Sequence, residues 1–309
     1  MEAINLKRLV RNGAIITSAT LFLASCSNGV KSQESNSKYI SMGNIFNSDN
    51  EHISYILSDD NPIEKDSTIQ YYIVTKNGKA KVYDGTEDTT LGDVSRMDED
   101  KIKDRMRKED KEWFNKDKKE TIDYLKNGVT KVNEVKQGFK GDDDIIEDKK
   151  TYKNTKEYVD KHGNVPQKYL NKVKNSKYKE PEFNQLETAL ETDGSGNKSK
   201  KEGFKFLAHG FHQGNYDAPK DGSDKSYYME TSVTNSATYE DKLELTEEYE
   251  DTVAVTDIYD KKYAGLSYLD EDDEDTANYL VTEVGDKTKE VKFDTPKADF
   301  IDIVDGKKK

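Results

Sequence analysis

Apolar and polar positions follow two different periods along this chain. From Tyr39 to Asp84 the period is two: YISMGNIF and HISYIL are short apolar runs between turn residues, and TIQYYIVTKNGKAKVYDG holds two alternating segments around Asn77-Gly78. That dipeptide predicts a type I′ hairpin. A two-residue loop sets Lys76 opposite Lys79, Ile73 opposite Val82 and Tyr72 opposite Tyr83. Strict alternation then puts Ile69, Tyr71, Ile73 and Val82 on one buried face.

From Ser95 to Asn175 the period becomes helical. Asp98 is placed to cap a helix with Ile102, Met106 and Trp113 on its apolar face and charges on the other. Thr121 to Asn127 reads as a second piece ending at Gly128, and VTKVNEVKQGFKGDDD fits a strand or a loop. Asp142 to His162 predicts a further helix with Ile145, Tyr152 and Val159 in register, stopped by Gly163 and Pro166, and QKYLNKVK adds a turn or two. Acidic residues run through most of these segments, so their polar sides are solvated faces rather than membrane-surface faces.

From Glu182 onward alternation returns. FNQLETALETDGSGNKSKKEGFKFLAHGFHQG predicts two strands joined by a Gly-rich loop, and YYMETSVTN and LELTEEYEDTVAVTDIYD predict two or three more. YLVTEVGDKTKEVKF reads as a hairpin turning at Gly285-Asp286, and DFIDIVD is a last strand before the basic tail Lys307–Lys309. Strands in series without intervening helices imply antiparallel sheets. The expected class is α+β, with antiparallel β-rich N- and C-terminal regions flanking a central helical segment. The expected regions are 39–90 (a small β region with a hairpin), 91–180 (helical) and 181–309 (antiparallel β).

The first 38 residues fit neither period. Lys7, Arg8 and Arg11 precede Gly13 to Ala24, an uncharged apolar run too short for a hydrocarbon core that needs roughly 20 residues. This is the form of a secretory signal, residues 1–25; an uncleaved N-terminal anchor helix is the other reading. The run ends in Leu23-Ala24-Ser25-Cys26, holding the only cysteine of the 309-residue chain. That tetrapeptide resembles the lipobox of bacterial lipoproteins. The resemblance implies that a diacylglycerol group is attached to the Cys26 thiol, and that cleavage falls between Ser25 and Cys26. It covers the leader alone and implies nothing about the fold beyond it. Two acyl chains on one residue give stable anchoring, where one chain binds only marginally. SNGVKSQESNSK follows and completes a flexible tether, 26–38, with nothing nearby to form a core around a structural cysteine.

Composition narrows the function. The chain carries a net charge of −13, and loss of residues 1–25 would remove Lys7, Arg8 and Arg11 against Glu2 alone, making the rest more acidic. Nucleic acid is therefore excluded as a partner, since binding it needs a basic face. An anionic leaflet would repel the same body, so acyl chains must hold it at the membrane. The Lys, Asn, Asp and Tyr bias fits a low-GC Gram-positive source, whose exported proteins use few disulfides. Only 32% of residues are hydrophobic against 36% charged, so two or three modest cores are expected rather than one large one. Nineteen tyrosines compensate in part, each able to bury a ring and keep its hydroxyl wet.

Candidate chemistry is sparse. His209 and His212 are the nearest pair of imidazoles, but on a strand an i, i+3 pair points to opposite faces, so they would meet at one metal ion only if Gly210 made a turn. Asp193-Gly-Ser-Gly-Asn197 starts like a calcium loop, then has Lys198 where Gly is needed and Phe204 where a bidentate Glu is needed. The acidic run Asp270–Asp275 reads as a solvated loop. Nucleophile-elbow, P-loop and zincin motifs do not occur, so no catalytic residue, resident metal or cofactor is assigned. The expected protein is a non-enzymatic lipoprotein on the extracytoplasmic face of the cell membrane, held there by its N-terminal lipid. It would bind a protein or small molecule through sheet edges and tyrosine-rich faces. A solute-binding subunit of a transporter and an envelope hydrolase are the alternatives.

Overall fold

The computed structural model describes residues 34–59, 63–86, 88–137, 165–194, 198–216, 233–269 and 277–304. Outside them, wholly or in part, lie the leader with Ser25 and Cys26, the tether up to residue 33, residues 138–144 of VTKVNEVKQGFKGDDD, the helix at 142–162, residues 195–197 of the Gly-rich loop, residues 227–232 of YYMETSVTN, the acidic run 270–275 and the basic tail 307–309.

Asn77 and Gly78 both take positive φ, 53° and 68°, the pair of values that a type I′ turn requires. The flanking strands β3 (Thr68–Lys76) and β4 (Lys79–Asp84) pair with Lys76 opposite Lys79, Ile73 opposite Val82 and Tyr72 opposite Tyr83, the register read from the sequence. One residue breaks the expected alternation. Against β2 (His52–Asp59), Tyr71 pairs with Ile56 but Ile69 pairs with Leu57, so Gln70 is a bulge. A bulge inserts a residue and reverses side-chain parity beyond it. Ile69 therefore joins Tyr72 and Val74 on one face, while Ile73 and Val82 lie on the other.

This hairpin sits inside a seven-stranded antiparallel sheet that mixes both ends of the chain. Its further strands are β5 (Asn184–Gln185), β9 (Asp251–Ile258), β10 (Lys261–Leu269) and β11 (Ala277–Val284), in the order β5-β4-β3-β2-β11-β10-β9. A four-stranded sheet is built from β6 (Glu187–Thr192), β7 (Ser199–Tyr216), β8 (Val233–Tyr249) and β13 (Ile301–Ile303), ordered β13-β6-β7-β8. Two further segments depart from expectation. Tyr39–Ile40 is a short strand, β1, but Met42–Phe46 is a helix, α1, because Asp294 from the distant C-terminal segment accepts the Gly43 N–H at its start. Gly285 does not turn a hairpin either. Both edges of β11 are already taken by β2 and β10, and β12 (Glu290–Val291) runs on to pair in parallel with β1.

Both faces of the seven-stranded sheet are buried. On one, Ile56, Ile73, Val82, Leu266 and Leu280 meet Phe204, Phe206 and Tyr249 of the smaller sheet and Phe46 of α1. Phe46 meets Phe204 edge-on at 5.0 Å. On the other, Tyr55, Tyr72, Tyr83, Tyr263 and Val281 are covered by α2 (Leu91–Ser95) and the first half of α3 (Glu99–Gln137). Tyrosine thus supplies volume that aliphatic residues are too few to fill.

Helix α3 begins where Asp98 accepts the Lys101 N–H, and Ile102 and Met106 are buried as the spacing predicts. Gly128 does not end it: the helix is continuous to Gln137. Trp113 is only half-buried, and Phe114 takes the inner position. A third core joins Phe114 and Leu125 of α3, Leu170 and Val173 of α4 (Val165–Asn175), and Phe211 and Ala237 of the β7–β8 ribbon. Pro166 lies in the first turn of α4, where a missing N–H costs nothing. The class is α+β: mainly antiparallel sheets from both ends of the chain, β13 joining its sheet in parallel beside β6, with a helical segment between them in sequence.

Candidate functional site

The buried stripe of α3 changes chemistry about three turns from its start. After Ile102 and Met106, the next inward positions are Glu109 and Asp110, 1% and 0% exposed, before apolar Phe114 resumes the stripe. Here the helix leaves the seven-stranded sheet and meets the β7–β8 ribbon, so these carboxylates stand where three elements converge.

Asp84 enters from the end of β4, Asp110 from α3 and His209 from the middle of β7. His209 lies at a bulge: Ala208 pairs with Leu243 and Gly210 with Glu240, so two residues of β8 oppose this one. The strand then directs His209 and Phe211 toward α3. His209 Nε2 lies 2.7 Å from Asp110 Oδ1 and 3.5 Å from Asp84 Oδ2. Its Nδ1 lies 2.6 Å from the Tyr239 hydroxyl. Asp110 Oδ1 also accepts the Asp84 N–H at 2.9 Å, and its Oδ2 accepts the Tyr178 hydroxyl at 2.6 Å. Two turns further along α3, Asp117 accepts the Phe211 N–H at 3.2 Å. All three central side chains are buried.

The electrostatics follow from that burial. Desolvation raises Asp84, the neighbouring Asp110 charge raises it further and His209 pulls back, leaving its carboxyl at about 8. For His209, burial opposes the imidazolium. The Asp110 hydrogen bond and the charges of Asp110, Asp84 and Asp117 together outweigh it, so its value rises. In that charged form both ring nitrogens donate, Nε2 to Asp110 and Nδ1 to Tyr239. The Tyr178 and Tyr239 hydroxyls are raised as well, first by burial and then by interaction with Asp110, the latter to about 12. Both stay protonated and available as donors.

One nitrogen of His209 and one oxygen each of Asp84 and Asp110 lie within 4.8 Å of one another, close enough to hold a metal ion. The cluster otherwise stores protons and fixes α3 against β4 and β7. His212 takes no part: it is exposed on the opposite side of β7, as strand geometry requires for an i, i+3 pair. Ser25 and Cys26 lie outside the described residues. Asp84, Asp110, Tyr178 and Tyr239 carry no motif. The signal in the sequence was an acid at the helical interval between Met106 and Phe114, an inward position where a charge needs a partner. No family model, curated protein or solved structure matches the chain.

Proposed function

We propose that this chain is an extracytoplasmic lipoprotein anchored through Cys26, whose folded body is a binding module for another protein at the cell surface. The anchor rests on Leu23-Ala24-Ser25-Cys26 at the end of an apolar leader. Among the described residues no helix is long and apolar enough to cross a membrane.

The observation that carries the binding role is the edge of the seven-stranded sheet. Strand β9 is its last member and is hydrogen-bonded to no further strand among the described residues, although β12 packs close by. Asp251, Thr252, Ala254 and Asp257 are exposed along it. An edge strand can take an added strand from a partner through main-chain hydrogen bonds. Tyr259, just beyond, is 46% exposed and stacked under the Arg96 guanidinium at 3.9 Å, a preformed amphipathic contact beside that edge. Among the described residues most other tyrosines are taken up by the cores, so the contact surface is narrower than tyrosine content suggests. The segregation of strands from helices supports this reading over a transport receptor with alternating β and α units in two lobes. Burial of Asp84, Asp110 and His209 supports a role inside the fold rather than chemistry on an arriving substrate.

Two measurements test the reading. Labelled palmitate should enter the parent protein and not Cys26→Ser, which should move from the membrane fraction to the medium. A photo-crosslinker at Thr252 should capture a protein on intact cells while one at Asp104, on the outer face of α3, should not. Unlabelled, membrane-free parent protein would refute the anchor, and equal capture at both positions, or none at Thr252, would refute the edge.

A further inference from the structure

We propose that Asp84, Asp110 and His209 form a buried site for one zinc-class divalent cation, which clips β4, α3 and β7 together. Three features of the geometry carry this. The first is an unpartnered ligand atom: Asp84 is 3% exposed, and its Oδ2, 3.5 Å from His209 Nε2, has no hydrogen-bond partner. A buried carboxylate oxygen left without a donor is costly, and a cation between the three side chains supplies what it lacks.

The second is size. Tetrahedral zinc with ligand bonds of about 2.0–2.2 Å holds its ligand atoms about 3.3–3.6 Å from one another. Of the separations from His209 Nε2, the 3.5 Å to Asp84 Oδ2 already matches that spacing and the 2.7 Å to Asp110 Oδ1 falls short of it. Adjustments of about half an ångström in side-chain position would seat the ion, well within rotamer flexibility.

The third is the surround. Asp110 is held by the Asp84 N–H and the Tyr178 hydroxyl, and the far nitrogen of His209 faces the Tyr239 hydroxyl. Metal-bound imidazoles and carboxylates are oriented by such outer hydrogen bonds, which fix the tautomer and the ring plane. With Nδ1–H donating to Tyr239, Nε2 turns its lone pair inward. Two carboxylates and a neutral imidazole then balance a divalent charge. Calcium and magnesium fit poorly, because they demand six or more oxygen ligands and this site offers two carboxylates and a nitrogen. The three protein ligands would leave a water to complete the shell.

The test uses the purified chain, stripped with a chelator and titrated with zinc chloride by calorimetry. One equivalent should bind and raise the melting temperature by several degrees. Asp84→Asn should weaken binding at least tenfold, while His212→Ala should bind as the parent does. Since a His209 variant risks unfolding, X-ray absorption at the zinc edge of the parent gives the decisive second reading: one imidazole, with oxygens as the other ligands. Absence of 1:1 binding, undiminished binding by Asp84→Asn, or an absorption spectrum with two imidazoles would each overturn the site.

Discussion

The backbone N–H of Asp294 donates to Oε2 of Glu202 at 2.9 Å, joining two acidic residues that are 2% and 0% exposed. Glu202 comes from β7, and Asp294 from the segment after β12. The Asp294 carboxylate lies beside that of Glu202 and also accepts the Ser41 hydroxyl at 2.5 Å and the Gly43 N–H at 2.7 Å. The pair therefore ties the start of α1 to the smaller sheet. Burial first, then the charge of Asp294, push Glu202 well above the usual carboxylate range.

That shift makes stability depend on pH with a definite sign. The native state keeps a proton on Glu202 that the unfolded chain releases above the ordinary glutamate value. Stability is therefore fully present below that value and falls as pH rises from it through the folded value. Glu202→Gln, which mimics the protonated side chain, should remove this slope. Urea unfolding of parent and variant should nearly coincide at pH 4 and diverge at pH 7.5, with the variant more stable by about 1–3 kcal/mol. Parallel stability curves across that range would mean that Glu202 is ionised in the fold.

Asp110 is the acceptor for three groups, the Asp84 N–H of β4, the Tyr178 hydroxyl from the segment after α4 and His209 of β7. Asp110→Ala strands all of them in a buried space, and should cost about 3–5 kcal/mol by urea unfolding. Tyr178→Phe removes one donor and leaves the others in place, and should cost about 1 kcal/mol. A loss below about 1 kcal/mol for Asp110→Ala would show that the cluster does not hold α3.

Tyr72 and Glu109 form a second buried clamp on the same helix. The Tyr72 hydroxyl donates at 2.8 Å and Thr89 donates to the other oxygen, with the Arg105 guanidinium 3.6 Å away. Glu109→Leu leaves both hydroxyls unmatched, whereas the double variant Glu109→Leu, Tyr72→Phe restores one match. The double variant should lose less than the sum of the two single losses, with a coupling of about 1 kcal/mol in a double-mutant cycle.

Local patterns carried the hairpin register, the start of α3 and the α+β class, because each depends on neighbours in sequence. What escaped depends on distant partners. One inserted residue, Gln70, moved Ile69 to the other face, and alternation alone gives no sign of a bulge. The SMGNIF segment looks extended until Asp294 arrives to accept the Gly43 N–H. Strand β10 gives no alternating signal because Gly265 interrupts it, and the reason for that glycine lies in the strand beside it. The Asp84–Asp110–His209 cluster joins residues from β4, α3 and β7, and of the three only His209 carries a sequence signal, its nearness to a His212 that points away.

Gly265 offers the sharpest contrast between two glycines of similar setting. A Cβ at Gly265 would collide with the carbonyl oxygen of Leu280 on the neighbouring strand β11, so the backbones approach too closely there for any other residue. At Gly203, in β7, the nearest atom to an added Cβ is the Glu247 carbonyl oxygen at 3.6 Å, an ordinary contact. Alanine should therefore behave oppositely at the two sites. Gly203→Ala should leave stability unchanged or raise it by about 0.5 kcal/mol, because alanine has less freedom to lose on folding. Gly265→Ala must part β10 from β11 inside the larger sheet, at a cost of about 3 kcal/mol or more, with most of the soluble yield lost at 37 °C. Thermal melts and hydrogen exchange at Leu266 and Val281 would measure it. Equal melting temperatures for the two variants would show that the close approach at Leu280 is not part of the native fold.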